Sequence, residues 1–241
     1  MRTILLVSVG VFLAATAAAQ PVGAPRVTAD DSWTYQNTAD GRAGWRQTRI
    51  EITVIRVGPS SIEVADKPVG STMPPTELLV GPDWSRVRSV DGHETVVNRP
   101  LTFPLSVGKS WDLDYTDTQP SNRQHSSERF RSTYKVTGWE DVIVPAGTFH
   151  AIKIEAEGTW TAVVAPANSA VAGTRTDARG STTVAETGRA TATAATGRIY
   201  KAFWYAPAVK RWVKSDEEYY DSNGVRNQRF LEELAAYKVA N

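Results

Sequence analysis

The chain has 241 residues, no cysteine, and 27 Lys and Arg against 26 Asp and Glu, for a formal charge of +1. Without the first 19 residues, whose single charge is Arg2, the remaining 222 carry no net charge, and no basic footprint for nucleic acid is left. A sequence without cysteine excludes disulfides, a thiol nucleophile, Cys-ligated zinc and a lipid-modified cysteine, so packing alone must hold the fold.

At the N-terminus, Arg2 precedes an apolar run from Ile4 to Ala15 that leads into Ala17-Ala18-Ala19. This is the layout of a secretory signal peptide over residues 1–19, with cleavage expected after Ala19. The run is about 12 residues long where a span needs roughly 20, and no later stretch is longer. No transmembrane span is therefore expected after cleavage, and the address implied is the bacterial periplasm or secretion beyond it. Residues 20–29 lack periodicity and read as a flexible lead-in, and residues 30–241 read as a single β domain.

From Ser32 onward, runs rich in Val, Ile, Thr, Trp and Tyr alternate with polar residues at period two. The expected strands are Ser32 to Gln36, Arg46 to Val57, Ser60 to Ala65, Trp84 to Val90, His93 to Asn98 and Ser110 to Tyr115. The second half adds Glu128 to Trp139, Asp141 to Val144, Thr148 to Ala162, Arg198 to Tyr205, Val209 to Tyr220 and Val225 to Tyr237. The class is all-β: a curved antiparallel sheet or half-open barrel of about ten strands. Residues 66–83 carry four prolines and read as a long loop over one end of the sheet. In residues 165–197, 22 of 33 are Ala, Thr or Gly and none is aromatic, which marks a low-complexity insert with little to bury.

Three turns carry their own chemistry. Asp91-Gly92 is a two-residue hairpin signal, and Pro145-Ala146-Gly147 fits a three-residue loop with Gly147 in the left-handed region. Asn223-Gly224, taken as a two-residue turn, sets Ser222 opposite Val225. Counting outward, Asp221 faces Arg226, Glu218 faces Arg229 and Lys214 faces Glu233. Three opposite-charge pairs make Asp216-Glu217-Glu218 half of a charge ladder rather than a catalytic carboxylate pair.

The string Val142-Ile143-Val144-Pro145-Ala146-Gly147-Thr148-Phe149, the later Trp204-Tyr205-Ala206-Pro207, and the upstream Pro104-Leu105-Ser106-Val107-Gly108-Lys109-Ser110-Trp111 together resemble a family of exported bacterial β-rich domains of unknown function. The resemblance covers residues 100–240 and implies a barrel-like antiparallel sheet in the cell envelope, with no activity attached. Where the commoner form carries glycine after Val209, this chain has Lys210.

Motifs for bond chemistry are sparse. His93, His125 and His150 have no ligand spacing, and no His-Glu-x-x-His, Gly-x-Ser-x-Gly or phosphate-cradling glycine loop occurs. Ser126 and Ser127 lie beside His125, but a working base is ordinarily brought in by the fold. Asp112 and Asp114 share one face of a strand, and Trp111, Leu113 and Tyr115 share the other, which turns the carboxylates to solvent. No catalytic residue, metal or cofactor is expected.

The eight tryptophans, Trp33, Trp45, Trp84, Trp111, Trp139, Trp160, Trp204 and Trp212, spread over nearly every strand. Most are read as core filling. Trp204 and Tyr205 are the expected ligand-binding residues, because consecutive strand residues cannot both face inward. The reading is an exported, non-catalytic binding or accessory protein of the envelope. Its partner is an apolar small molecule, a lipid or an envelope protein. Two alternatives stay open: a structural or assembly protein docking another envelope protein, and a hydrolase.

Overall fold

The computed structural model describes residues 20–41, 44–90, 92–120, 122–164, 170–177, 180–187 and 193–240. Residues 1–19, expected to be a signal peptide, and Asp91 of the first turn lie outside the described residues. Six strands come first: β1 (Ser32–Gly41), β2 (Gly44–Val57), β3 (Ile62–Pro68), β4 (Thr76–Val80), β5 (Arg86–Val90) and β6 (His93–Asn98). After a loop follow β7 (Ser110–Asp117), β8 (His125–Val144), β9 (Gly147–Val164), β10 (Ala170–Asp177) and β11 (Gly180–Thr187). The chain finishes with β12 (Thr193–Ala206), β13 (Arg211–Tyr220) and β14 (Arg226–Lys238).

Twelve strands join in one antiparallel sheet in the order β6-β5-β4-β3-β2-β1-β14-β13-β12-β9-β8-β7, curled into a nearly closed barrel; β10 and β11 pair separately. The class is as the alternation predicts, with twelve strands in place of about ten. The proline-rich segment is the main correction, since it holds β4. Pro68 ends β3, Pro74 and Pro75 precede β4 and Pro82 follows it, so the prolines bracket a five-residue strand instead of forbidding one. Asp141 to Val144 is no separate strand but the end of β8, which passes an irregularity between Val136 and Gly138.

Side-chain alternation explains the core. Along β8, Ser132, Tyr134 and Val136 are buried while Arg131, Thr133 and Lys135 face solvent. The same parity sends Trp33, Tyr35, Ile152, Ile154, Phe203, Tyr205 and Leu234 into one cluster, joined by Leu101 and Leu105 from the loop before β7. Residues 20–29 run against this loop. Val22 exchanges two backbone hydrogen bonds with Leu105, at 2.7 and 2.8 Å, and Val27 is buried. Trp33 and Trp84 donate their indole N–H groups to the carbonyls of Val209 and Lys210, at 2.8 and 3.1 Å, and the Tyr35 hydroxyl donates to the Trp212 carbonyl at 2.6 Å. These bonds pin the 3-10 turn Pro207–Val209 against the barrel, with Val209 buried and Pro207 and Ala208 exposed.

Two hairpins depart from their expected loops. Val144 pairs with Gly147, so Pro145 and Ala146 alone form the loop, and Gly147 takes φ +130° as its first strand residue. In the last hairpin Asp221 N–H donates to Val225 O and Gly224 N–H to Asp221 O, both at 3.0 Å, leaving Ser222, Asn223 and Gly224 as a three-residue loop. One residue later the extra position is returned. Tyr220 faces Arg226 while Tyr219 faces Gln228, so Asn227 bulges. The two displacements cancel, and Glu218 faces Arg229 and Lys214 faces Glu233 as counted from the sequence. Arg226 instead reaches Glu218 at 3.1 Å and Asp40 at 2.9 Å.

Candidate functional site

Register assembles the site at one end of the barrel. Tyr115 on β7 lies opposite Phe130 on β8, and Phe130 opposite Trp160 on β9, so three rings share the inner face. Tyr115 and Phe130 stack with centroids 5.0 Å apart. β13 and β14 add Tyr219 and Phe230, whose rings meet edge-on at 6.3 Å. Together with His125, Glu128, Asn122, Asn227 and Gln228 these rings line a cleft of about 410 Å³.

Trp160 is held from two sides. Its indole N–H donates to the Tyr220 carbonyl at 3.0 Å. That approach runs over Gly197, where a Cβ would stand 1.8 Å from the Tyr220 oxygen and 2.5 Å from the Trp160 Nε1. On the other side the His125 ring stacks on Trp160 with centroids 6.3 Å apart, and His125 Nδ1 lies 2.6 Å from Glu128 Oε1. One inward position below Tyr219, the buried Lys201 ammonium pairs with Glu217 at 2.7 Å. Burial disfavours the charge of Lys201, but Glu217 more than offsets this, and the ammonium titrates well above its ordinary range. Burial likewise pushes the Tyr219 hydroxyl up, so this phenol lines the cleft un-ionised, while the neutralised Lys201–Glu217 pair lies against its ring and outside the cleft lining.

Other hollows lie among the described residues. An open groove of about 760 Å³ runs along β4 to β6 past Leu79, Pro82, Val87 and Phe103, and a shallow one of about 380 Å³ covers Asp112, Asp114 and Arg131. A smaller cavity of about 140 Å³ lies within the barrel beside Arg211.

The residues singled out from sequence fall as follows. Tyr205 is 1% exposed and part of the core, with its ring edge-on to Phe103 at 5.4 Å. Trp204 points to the other face, half-buried, with the Lys153 and Lys214 ammonium groups 5.3 and 5.5 Å from its ring and its indole N–H on Glu140. Neither residue lines the four hollows above. Asp112 and Asp114 face solvent; Asp112 accepts from the Thr133 hydroxyl at 2.7 Å, and Arg129 and Arg131 clasp Asp114. That double clasp holds the Asp114 carboxyl below its ordinary range. His150 stacks on Trp139 at 5.0 Å and sits 2.8 Å from Asp141, at the opposite end of the β8–β9 ladder from the His125–Glu128 pair. The Ser126 hydroxyl donates to the Val163 carbonyl at 3.2 Å. Among the described residues no group of three His, Asp or Glu could hold a metal ion.

The sequence marks Tyr115 only as inward-facing and does not single out Phe130, Tyr219 or Phe230, because each looks like any other strand aromatic until the register is known. Parity was the available signal: all lie on inward positions near strand ends.

No family model matches the chain, and no curated protein does. Among solved structures it is similar to a candidate lipoprotein from Parabacteroides distasonis ATCC 8503, at 15% identity and a TM-score of 0.46, covering 91% of this chain and 100% of that one. It is also similar to a candidate exported protein with a YmcC-like fold from Bacteroides fragilis NCTC 9343, at 17% identity and a TM-score of 0.39, with the same coverage of 91% and 100%. A third is the hypothetical lipoprotein YmcC from Escherichia coli K12, at 10% identity, a TM-score of 0.35, and 87% and 85% coverage.

Proposed function

We propose that this chain is an exported accessory protein of the bacterial envelope that holds an apolar or amphipathic molecule at its aromatic mouth, without making or breaking bonds. The observation that carries the reading is the convergence of Tyr115, Phe130, Trp160, Tyr219 and Phe230 on one cleft of about 410 Å³. Ligand sites occupy about 300 to 1,000 Å³ and are walled mostly by apolar and aromatic groups with a few polar ones. Here the polar groups are His125, Glu128, Asn122, Asn227 and Gln228, which suits a molecule with one wet end. The signal-like residues 1–19 support export. Trp204, with its ring between two lysines, is a second candidate contact, and Tyr205 behind it is the packing support.

Native mass spectrometry of the protein taken from the periplasm of its host tests this. A non-covalent adduct is expected on the wild type and is lost in the Trp160→Ala/Phe230→Ala double variant, with the β circular dichroism unchanged. Absence of any adduct under gentle conditions, or an adduct indifferent to the double variant, overturns the mouth as the site.

A further inference from the structure

Arg211 opens β13 one residue after the pinned turn, past Lys210, and is buried at 7% exposure. Four rings surround its guanidinium: Trp212 at 4.2 Å, Trp84 at 4.8 Å, Tyr35 at 5.0 Å and Trp33 at 5.8 Å from Cζ. Aromatic faces attract the cation, but they offer its N–H groups no oxygen. Neither Nε nor Nη1 has a protein acceptor. A guanidinium buried with unmatched donors is costly unless an acceptor reaches it.

The same guanidinium lines the inner cavity of about 140 Å³, together with Trp84, Trp212, Asp66, Arg86, Asn98 and Glu232. That volume is about four to five times the ~30 Å³ share of a water in the liquid. Two of the acids around it, Glu217 and Glu232, are already engaged. Glu217, also on the wall, is paired with Lys201 at 2.7 Å. Glu232 accepts from the Trp212 indole at 3.1 Å and the Ser215 hydroxyl at 3.3 Å. Burial pushes the Asp66 carboxyl up, against the pull of Arg211 and Arg86. Arg86 is exposed, which puts a second positive charge at the rim.

We propose that this cavity binds a small carboxylate of hydroxy-acid size, its carboxylate on Arg211 and its hydroxyls on Asp66 and Glu232. The indole walls of Trp84 and Trp212 take the carbon skeleton. Both halves of the ligand suit the lining: Arg211 supplies donors only, and the carboxyl oxygens of Asp66 and Glu232 can accept from hydroxyls. The cavity shares no lining residue with the aromatic mouth, so the two readings stand or fall separately.

Isothermal titration of the purified chain with D-glycerate, propionate and glycerol decides it. D-glycerate is expected to saturate with a Kd of about 1 mM. Propionate, which lacks the hydroxyls, and glycerol, which lacks the carboxylate, should each bind about tenfold more weakly. Arg211→Lys should weaken glycerate about tenfold, because the ammonium cannot present the same fork of donors. If that buried variant does not fold, Arg86→Gln at the exposed rim decides instead, with affinity reduced about twofold to fivefold at low salt and the difference gone at high salt. Lack of saturation by glycerate, equal binding of the three probes, or folded variants that bind as the wild type does would each overturn the site.

Discussion

Arg88 on β5 bonds the Asp117 carboxylate on β7 across the one gap in the sheet, where β6 and β7 share no ladder. Trp111 adds a second tie, its indole N–H donating to the Arg99 carbonyl at 3.1 Å. The seam is therefore closed by side chains. The two partners are unequal: Asp117 is buried and also accepts from the Gln119 N–H at 2.9 Å, whereas the Arg88 side chain is half in solvent. Asp117→Ala should lower stability by about 1 to 3 kcal/mol, a melting point lower by about 2 to 4 °C per kcal/mol. Arg88→Ala should cost less than about 1 kcal/mol. Equal costs in urea unfolding would contradict a clasp centred on the aspartate.

Asp31 ties three distant segments. It accepts from the backbone N–H groups of Thr28 and Ala240 at 2.9 and 2.7 Å and from the Lys210 ammonium at 3.0 Å. Burial opposes its charge, but these donors more than offset burial and hold the carboxyl below its ordinary 3.8. A carboxyl depressed in the fold adds stability above its unfolded pKa and loses it as pH falls through the folded one. Asp31→Asn should therefore cost about 1.5 to 3 kcal/mol at pH 7. The gap from wild type should narrow as the pH drops below 3.8. A gap independent of pH would show that the charge is irrelevant.

Lys210, on the other side of that bond, sits at φ +64°, in the left-handed region that favours glycine. Its side chain pairs with Asp31, an attraction that opposes the backbone strain. Lys210→Gly loses the pair and gains backbone freedom; Lys210→Ala loses the pair and keeps the strain. The alanine variant should be less stable than the glycine variant by about 1 kcal/mol, the reverse of the ordinary order in a strand.

At Gly197 the sign of a substitution is equally diagnostic. Alanine for glycine in a strand normally adds about 0.5 to 1 kcal/mol. Here the added methyl would meet the Tyr220 carbonyl and the Trp160 ring, so Gly197→Ala should destabilise by about 1 to 3 kcal/mol and displace Trp160 from the mouth. Near-ultraviolet circular dichroism should change together with the urea midpoint. A stabilised variant would mean that the close approach of β12 to Trp160 is not needed.

Period-two alternation made most of this barrel legible before any coordinates, because a half-buried strand has to sort its side chains by parity. It placed Trp111, Leu113 and Tyr115 inward, turned Asp112 and Asp114 out, and separated Trp204 from Tyr205. It missed β4, whose Thr76-Glu77-Leu78-Leu79-Val80 is too short to show a period and stands between prolines. The mouth was hidden for a different reason. Phe130 meets Tyr115 and Trp160 only through two ladder registers, and Phe230 arrives from a third strand pair. Arg211 gave no sign either: nothing in Val209-Lys210-Arg211-Trp212 marks it as buried, and its place follows the preceding turn, which Trp33 and Trp84 pin.

The last hairpin tests how far local sequence dictates register. Asp221 Oδ1 accepts from the N–H groups of Asn223 and Val225 at 2.9 and 3.0 Å, and Gly224 closes the loop at φ +75°. Because the Asn227 bulge returns the residue that the loop takes up, the charge pairs Glu218 with Arg229 and Lys214 with Glu233 stay opposed. Gly224→Val puts a β-branched side chain into the left-handed region and should cost about 1 to 3 kcal/mol. Asp221→Ala removes two loop hydrogen bonds and should cost about 1 to 2 kcal/mol. Since β13 and β14 carry Tyr219 and Phe230, hydrogen exchange should speed up first along these two strands in both variants. Protection unchanged there, with stability lost elsewhere, would mean that the charge ladder and not the loop sets the register.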